Sequence, residues 1–398
     1  MNSQSGLSIR PFTISRLPRI LFGKGELSKL AGEIAHYGKR ALIVTGGGSF
    51  TCSEHWSELQ ADLDKAGISW SLIRIPGEPS PEWVDQAVSQ HKNDGFDVVV
   101  GVGGGSPLDA AKAIAGLLPG GNSVMDHLEG VGHGVSYQGP SLPYIAVPTT
   151  AGTGSEMTKN AVLSSNDQGF KKSFRDERLT AQVAIIDSNL LMSCPRAQLV
   201  ANAMDAFTQL LESYTSPKNN PITDGLALSG LQYFLRGFSL NEEADLKGYD
   251  YLAYASMISG ICLAQTGLGA VHGIASPLGA HFPIPHGVAC GTNLAKVTET
   301  NIQALQTRDP NSFALGRYAL VGKMLDTRFE GDQQQHLSNL VSVLWRWTES
   351  LALPKLSHYG MTAYHVDQIV AESGGNSMKT NPIVLSDSEL KNVLVSRL

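Results

Sequence analysis

The run Phe96–Val102 (FDVVVGV) ends in three consecutive glycines, Gly103-Gly104-Gly105, and Ser106–Lys112 (SPLDAAK) follows as a helix start. A buried strand that turns through glycine straight into a helix is the building unit of parallel α/β sheets. It is also what a phosphate cradle needs. Glycines let backbone N–H groups approach an anion, and the helix N-terminus adds partial positive charge. Pro107 suits the first turn of a helix, and Asp109, early in that helix, is favoured by its dipole. Without a ligand the same junction is a plain strand–helix turn.

Similar runs recur through the first half. Arg40–Thr45 (RALIVT) stops at Gly46-Gly47-Gly48, Tyr144–Val147 (YIAV) at Pro148, and Val183–Ile186 (VAII) at Asp187. Short continuous apolar runs between helical segments predict parallel strands covered on both faces. Beyond Asp187 the pattern disappears. Val200, Met204, Phe207, Leu211 and Tyr214 recur at steps of three or four in Arg196–Ser216, an amphipathic helix. Tyr251–Ala270, rich in Ala, Gly and Ser, reads as a buried helix, and Gln335–Leu351, Ala363–Ala371 and Ser386–Arg397 read as further helices. At about 150 residues per domain, 398 residues make two to three domains. The expectation is an α/β nucleotide unit followed by an all-helical unit, joined near residue 190.

Composition removes several function classes. Thirty Lys+Arg against 36 Asp+Glu give a net charge of −6, with no basic cluster for nucleic acid. No apolar run approaches the length of a membrane span, and Met1–Arg10 lacks the apolar core of a signal peptide. Cys52, Cys194, Cys262 and Cys290 form no C-x-x-C pair. That argues against a disulfide framework or a thiolate zinc site and fits a reducing cytoplasm.

Two more loops carry chemistry. In dinucleotide sites an acidic residue after a strand commonly holds the ribose 2′-OH. Here Gly46, Gly47, Gly48 and Ser49 occupy that place, an uncharged turn able to accept a 2′-phosphate or serve as a simple turn. Pro148–Thr158 (PTTAGTGSEMT) is dense in hydroxyls that can bond a phosphate or a nicotinamide, and such loops also occur as ordinary turns. Three of the eleven histidines, His272, His281 and His286, fall within His272–His286. Neutral imidazole is the usual ligand for zinc or ferrous iron. Upstream, Asp205 and Gln209 lie four apart on one helix face and can converge on an ion. Taken singly, Asp205 also reads as a hydrogen-bonded helix residue and His286 as a loop histidine.

In order along the chain stand Phe22-Gly23-Lys24-Gly25, GGGSPLDAAK at Gly103–Lys112, VPTTAGTGSE at Val147–Glu156, and VAIID at Val183–Asp187. MDAFTQLLESY at Met204–Tyr214 and GLGAVHG…PIPHGVA at Gly267–Ala289 follow. With these motifs the chain resembles, over nearly its full length, the group III iron-containing alcohol dehydrogenases of the dehydroquinate synthase-like superfamily. The resemblance implies an α/β plus all-α fold. A Rossmann-like dinucleotide domain would span 1–190 and a helical metal and substrate domain 191–398, with the site between them. It implies that Gly103, Gly104, Gly105 and Ser106 wrap the cofactor pyrophosphate, with Asp109 in the same motif. Thr149, Thr150 and Thr153 would contact the phosphate or nicotinamide side, and Lys171 is the cofactor-proximal lysine. NAD-preferring members often carry Asp at the place of Gly46, so the Gly46, Gly47 and Ser49 turn leans toward NADP over NAD.

The metal motif departs from the family. D-x-x-x-H is here Asp205 followed by Gln209, and H-x-x-x-H is His272 followed by Ser276. Asp205, His272 and His286 remain, and three protein ligands plus water suffice for a catalytic zinc. Gln209 is a candidate fourth ligand for Fe(II) or Zn(II). Ser276 replaces the family's proton carrier, and either His281 or a solvent chain through Ser276 would take over. The implied activity is hydride transfer between a nicotinamide and a primary alcohol or aldehyde, in a homo-oligomer. The alternatives are a metal-free reductase like maleylacetate reductase, a dehydroquinate synthase-like lyase, and a decayed nucleotide-binding protein.

Overall fold

The computed structural model describes residues 9–238, 246–326 and 330–398; most of the Met1–Arg10 stretch therefore lies outside it. Its strands are β1 (Arg19–Phe22), β2 (Arg40–Thr45), β3 (Ser69–Arg74), β4 (Val98–Gly103), β5 (Tyr144–Pro148), β6 (Asn160–Ser165), β7 (Phe170–Arg175) and β8 (Val183–Ile186). Six of them form one sheet in the order β1-β8-β5-β4-β2-β3, and every pair in it is parallel. Its apolar runs are continuous because both faces are covered. Ala41, Ile43, Val98, Val100 and Ile145 pack on one side of the sheet. Leu42, Val44, Val99, Tyr144 and Ala146 pack on the other. Thr45 sits opposite Val102 and Gly103 opposite Pro148, so the three glycine- and threonine-rich loops leave one edge of the sheet side by side. In open α/β sheets that carboxyl edge is where ligands bind.

Helices α1 (Leu30–Ala35), α2 (Glu54–Lys65), α3 (Pro81–His91) and α4 (Gly105–Leu117) cover the sheet. The second half holds α5 (Arg196–Thr215), α6 (Pro221–Gly237), α7 (Leu246–Thr266), α8 (Ala270–His281), α9 (His286–Arg308), α10 (Phe313–Leu325), α11 (Gln333–Ser350), α12 (Val366–Glu372) and α13 (Asp387–Val395). α5 packs against α6, α7, α9 and α10, so even its polar residues Asp205, Thr208, Gln209 and Glu212 are buried. The helical core continues into the first half through Met157, in the turn between β5 and β6, and into the sheet through Ala184 and Ile186 of β8. At this junction Gly154 (φ 60°) lies against Gly260 of α7. A Cβ on Gly154 would come within 2.4 Å of the Gly260 Cα, so only glycine permits the contact.

Four strand runs expected from sequence are present, and β1, β3 and the antiparallel hairpin β6–β7 are additional. β1 and β3 are edge strands with partly exposed residues, so they lack the apolar continuity that marks the inner four. The buried helix expected at Tyr251–Ala270 is divided: α7 stops at Thr266, and Gly267 (φ 68°) precedes α8. Among the described residues no single helix is long and apolar enough to cross a membrane.

Candidate active site

The carboxyl edge of the sheet and the helices α5, α8 and α9 enclose a cleft of about 1710 Å³. Gly46, Gly47, Ser49, Gly103, Gly104, Gly105, Ser106, Asp109, Thr149, Thr150, Thr153 and Lys171 line it on the sheet side. Asp205, Gln209, His272, Ser276 and His286 line it on the helical side. No side chain caps the N-terminus of α4, which starts after Gly104. Its first-turn N–H groups are the orphans every helix leaves, here directed at the cleft. Gly103 (φ 153°) permits the approach, since a Cβ there would meet Pro107 Cγ at 2.6 Å. The arrangement fits the pyrophosphate of a dinucleotide.

Behind the cradle lies a buried polar knot. Lys112 is fully buried and donates from Nζ to the Ser155 and Asn160 carbonyls at 2.9 and 2.7 Å. It also reaches Thr158 Oγ1 at 3.0 Å and Asp109 Oδ1 at 3.4 Å. Asp109 accepts from Ser155 Oγ at 2.5 Å and from the Val162 amide at 3.0 Å. These bonds tie α4 to the threonine loop and to β6, so Asp109 shapes the cradle from within the protein. Lys171, on β7, pairs with Glu78 on the cleft wall. Burial raises the Glu78 carboxyl, and the Lys171 charge, hydrogen bonds from Lys171 and Ser164, and His286 together outweigh it and hold the pKa below the usual range.

On the helical side four ligand-type atoms come within 4.8 Å of one another, from Asp205, His272, His286 and Cys290. Asp205 Oδ1 is 3.1 Å from His272 Nε2 and 3.8 Å from His286 Nε2. Cys290 Sγ is 3.5 Å from His272 Nε2 and 3.8 Å from His286 Nε2. His272 Nδ1 donates to Glu212 Oε2 at 2.6 Å, and the other Glu212 oxygen accepts from the Val271 amide at 2.7 Å. A carboxylate behind a ligating histidine fixes its tautomer and ring orientation and leaves Nε2 toward the ion. Burial raises the Asp205 carboxyl, but His286, His272 and Cys290 outweigh it and hold it below its ordinary value. Burial pushes His286 down to about 4, which leaves a neutral imidazole with a free lone pair. An anionic carboxylate and converging imidazole nitrogens fit a divalent cation.

Two expected residues are engaged by other partners. His281 does not line the cleft; its Nε2 pairs with Glu372 Oε2 at 2.6 Å near the end of α8, so it is not placed to replace the missing proton carrier. Gln209 lines the cleft, but its amide oxygen accepts from Ser259 Oγ at 2.8 Å. Two residues were missed. Glu212 completes an i, i+4, i+7 stripe with Asp205 and Gln209 on α5, a spacing visible in the sequence. Cys290 lies four residues after His286 on α9, and the absence of a C-x-x-C pair hid it. Far from being irrelevant to a metal, this thiol sits inside the ligand cluster.

Residues 18–188 match the iron-containing alcohol dehydrogenase family, and residues 199–398 match the C-terminal domain of the Fe-containing alcohol dehydrogenase family. The chain belongs to the iron-containing alcohol dehydrogenase family and is an oxidoreductase. It is 31% identical to the NAD-dependent methanol dehydrogenase of Bacillus methanolicus, over 73% of this chain and 76% of that one. It is 28% identical to the NADPH-dependent butanol dehydrogenase of Clostridium saccharobutylicum, over 95% and 96%. The structure of an archaeal halo-thermophilic alcohol dehydrogenase from a Red Sea brine pool superposes with a TM-score of 0.90 at 26% identity, covering 99% of this chain and 100% of that chain.

Proposed function

We propose that this enzyme passes a hydride reversibly between a primary alcohol, or its aldehyde, and a nicotinamide cofactor. Residues 1–190 would hold the dinucleotide, and residues 191–398 the metal and substrate. The observation that carries the reading is the convergence of Asp205, His272 and His286 in the same cleft as the uncapped N-terminus of α4. When bound, a divalent cation supplies a Lewis acid for the alcohol oxygen, and the nicotinamide supplies the hydride acceptor.

The chain's own groups do the rest. Asp205 brings the negative charge, and Glu212 locks the His272 ring so that Nε2 faces Asp205. The α4 amides and the Thr149, Thr150 and Thr153 hydroxyls hold the dinucleotide against the sheet edge. Holding two reactants in one orientation supplies much of the rate gain. Lys171, steadied by Glu78, adds positive charge on the cofactor side. Ser276 Oγ lies in the cleft wall and passes the alcohol proton to solvent.

The Gly46-Gly47-Gly48-Ser49 turn is uncharged, and a Cβ on Gly47 would meet nothing within 4 Å. That room supports NADP as the preferred cofactor. The family resemblance extends the proposal to a homo-oligomer, and four free cysteines support a cytoplasmic address. The deciding experiment pairs metal analysis with nicotinamide reduction over a panel of primary alcohols, using both cofactors. Metal bound at one equivalent with alcohol-dependent reduction is expected. A protein that takes up no divalent metal, or that reduces neither cofactor once loaded, overturns the reading.

A further inference from the structure

We propose that Cys290 is the fourth ligand of the metal, so that Asp205, His272, His286 and Cys290 close the site where the family pattern would use a histidine at position 209. This rests on the metal-dependent reading above.

Three observations carry it. First, the position expected to ligate holds Gln209, whose amide oxygen is engaged by Ser259 at 2.8 Å. Second, Cys290 Sγ is buried within the cluster of ligand atoms, 3.5 and 3.8 Å from the two imidazole nitrogens. A tetrahedral centre with ligands about 2.0–2.3 Å away has edges of about 3.3–3.8 Å. The sulfur–nitrogen separations already lie in that range, as do the 3.1 and 3.8 Å separations of Asp205 Oδ1 from the same nitrogens to within 0.2 Å. Third, His286 and Cys290 are i and i+4 on α9, so one helix face aims both at the same point. The other cysteines have no such setting: Cys52 is exposed, Cys194 is half-buried, and Cys262 has the Thr223 carbonyl at 3.7 Å.

Ligation replaces the S–H bond of Cys290 with a sulfur–metal bond, and the proton leaves to solvent. A thiolate also softens an otherwise nitrogen- and oxygen-based donor set.

The test uses Co(II) as a spectroscopic probe in the metal-free full-length protein. Wild type is expected to show a near-ultraviolet thiolate-to-cobalt charge-transfer band. Cys290→Ser should lose that band, and its metal affinity should fall by more than about a hundredfold, beyond what loss of an outer-shell partner costs. Cys52→Ser and Gln209→Ala should keep the band. Cobalt bound by wild type without the band, or a band that survives in Cys290→Ser, overturns the assignment and leaves the metal site standing. No cobalt uptake by wild type overturns the metal reading and this inference together. Should Cys290→Ser fail to fold, zinc-edge X-ray absorption of wild type decides. One sulfur at about 2.3 Å upholds the ligand, and shells of nitrogen and oxygen alone overturn it.

Discussion

Glu212 is buried behind His272 and bonds both its ring nitrogen and the α8 amide of Val271, so it acts on the site through another residue. Glu212→Gln keeps the shape and removes the charge that sets the imidazole tautomer. Metal affinity should fall about 10–100-fold, read by competition with a chelating dye. An unchanged affinity would reduce Glu212 to a packing residue. Glu156 titrates unusually. Burial pushes its carboxyl up to about 7, from an ordinary 4.5, against a smaller opposing pull from its backbone and Lys112. Between those two values the folded chain keeps a proton that the unfolded chain has given up. Its contribution is therefore present below 4.5 and is lost as the pH rises through 7, amounting to roughly 3 kcal/mol. Glu156→Gln should flatten that decline, seen by chemical denaturation at the acid and alkaline ends of the window. Parallel profiles for the two proteins would contradict it.

At the scale of one element, the proposed function makes the turn after β2 the determinant of cofactor preference. A carboxylate there would repel a 2′-phosphate and accept a hydrogen bond from a 2′-hydroxyl. Gly46 has room: a Cβ there would touch Pro107 Cγ at 3.4 Å, an ordinary van der Waals approach. Gly46→Asp should move the ratio of kcat/KM for NADPH over NADH down by about tenfold or more, equivalent to about 1.4 kcal/mol. A ratio that stays put would show that the turn does not touch the ribose. At this scale the sequence was informative wherever an element's chemistry is local. The glycines before α4 and the place of Asp205 on the α5 helix are both readable. The strands β1 and β3 were not, because their burial comes from neighbours on one side only.

For the whole molecule, the ligand cluster draws its members from α5, α8 and α9, so an ion held there joins three helices of one core. A ligand that binds only the folded state stabilises it by about 2.7 kcal/mol at about 100 times its Kd. Chelation should lower Tm, and re-addition of metal should restore it in a concentration-dependent way. A Tm indifferent to chelator, in protein shown to have lost its metal, would exclude a cation bridging those helices. What the chain wrote locally was the strand–glycine–helix grammar of the first half, the helical periodicity of the second, and motifs specific enough to indicate the family. Those signals depend on residues a few positions apart, which share a turn or a helix face. Folding settled the rest: His281 turned away to Glu372, Glu212 came in behind His272, and Cys290 joined Asp205, a residue 85 positions earlier in the chain. Such meetings depend on how whole helices pack, and no spacing within one segment encodes them.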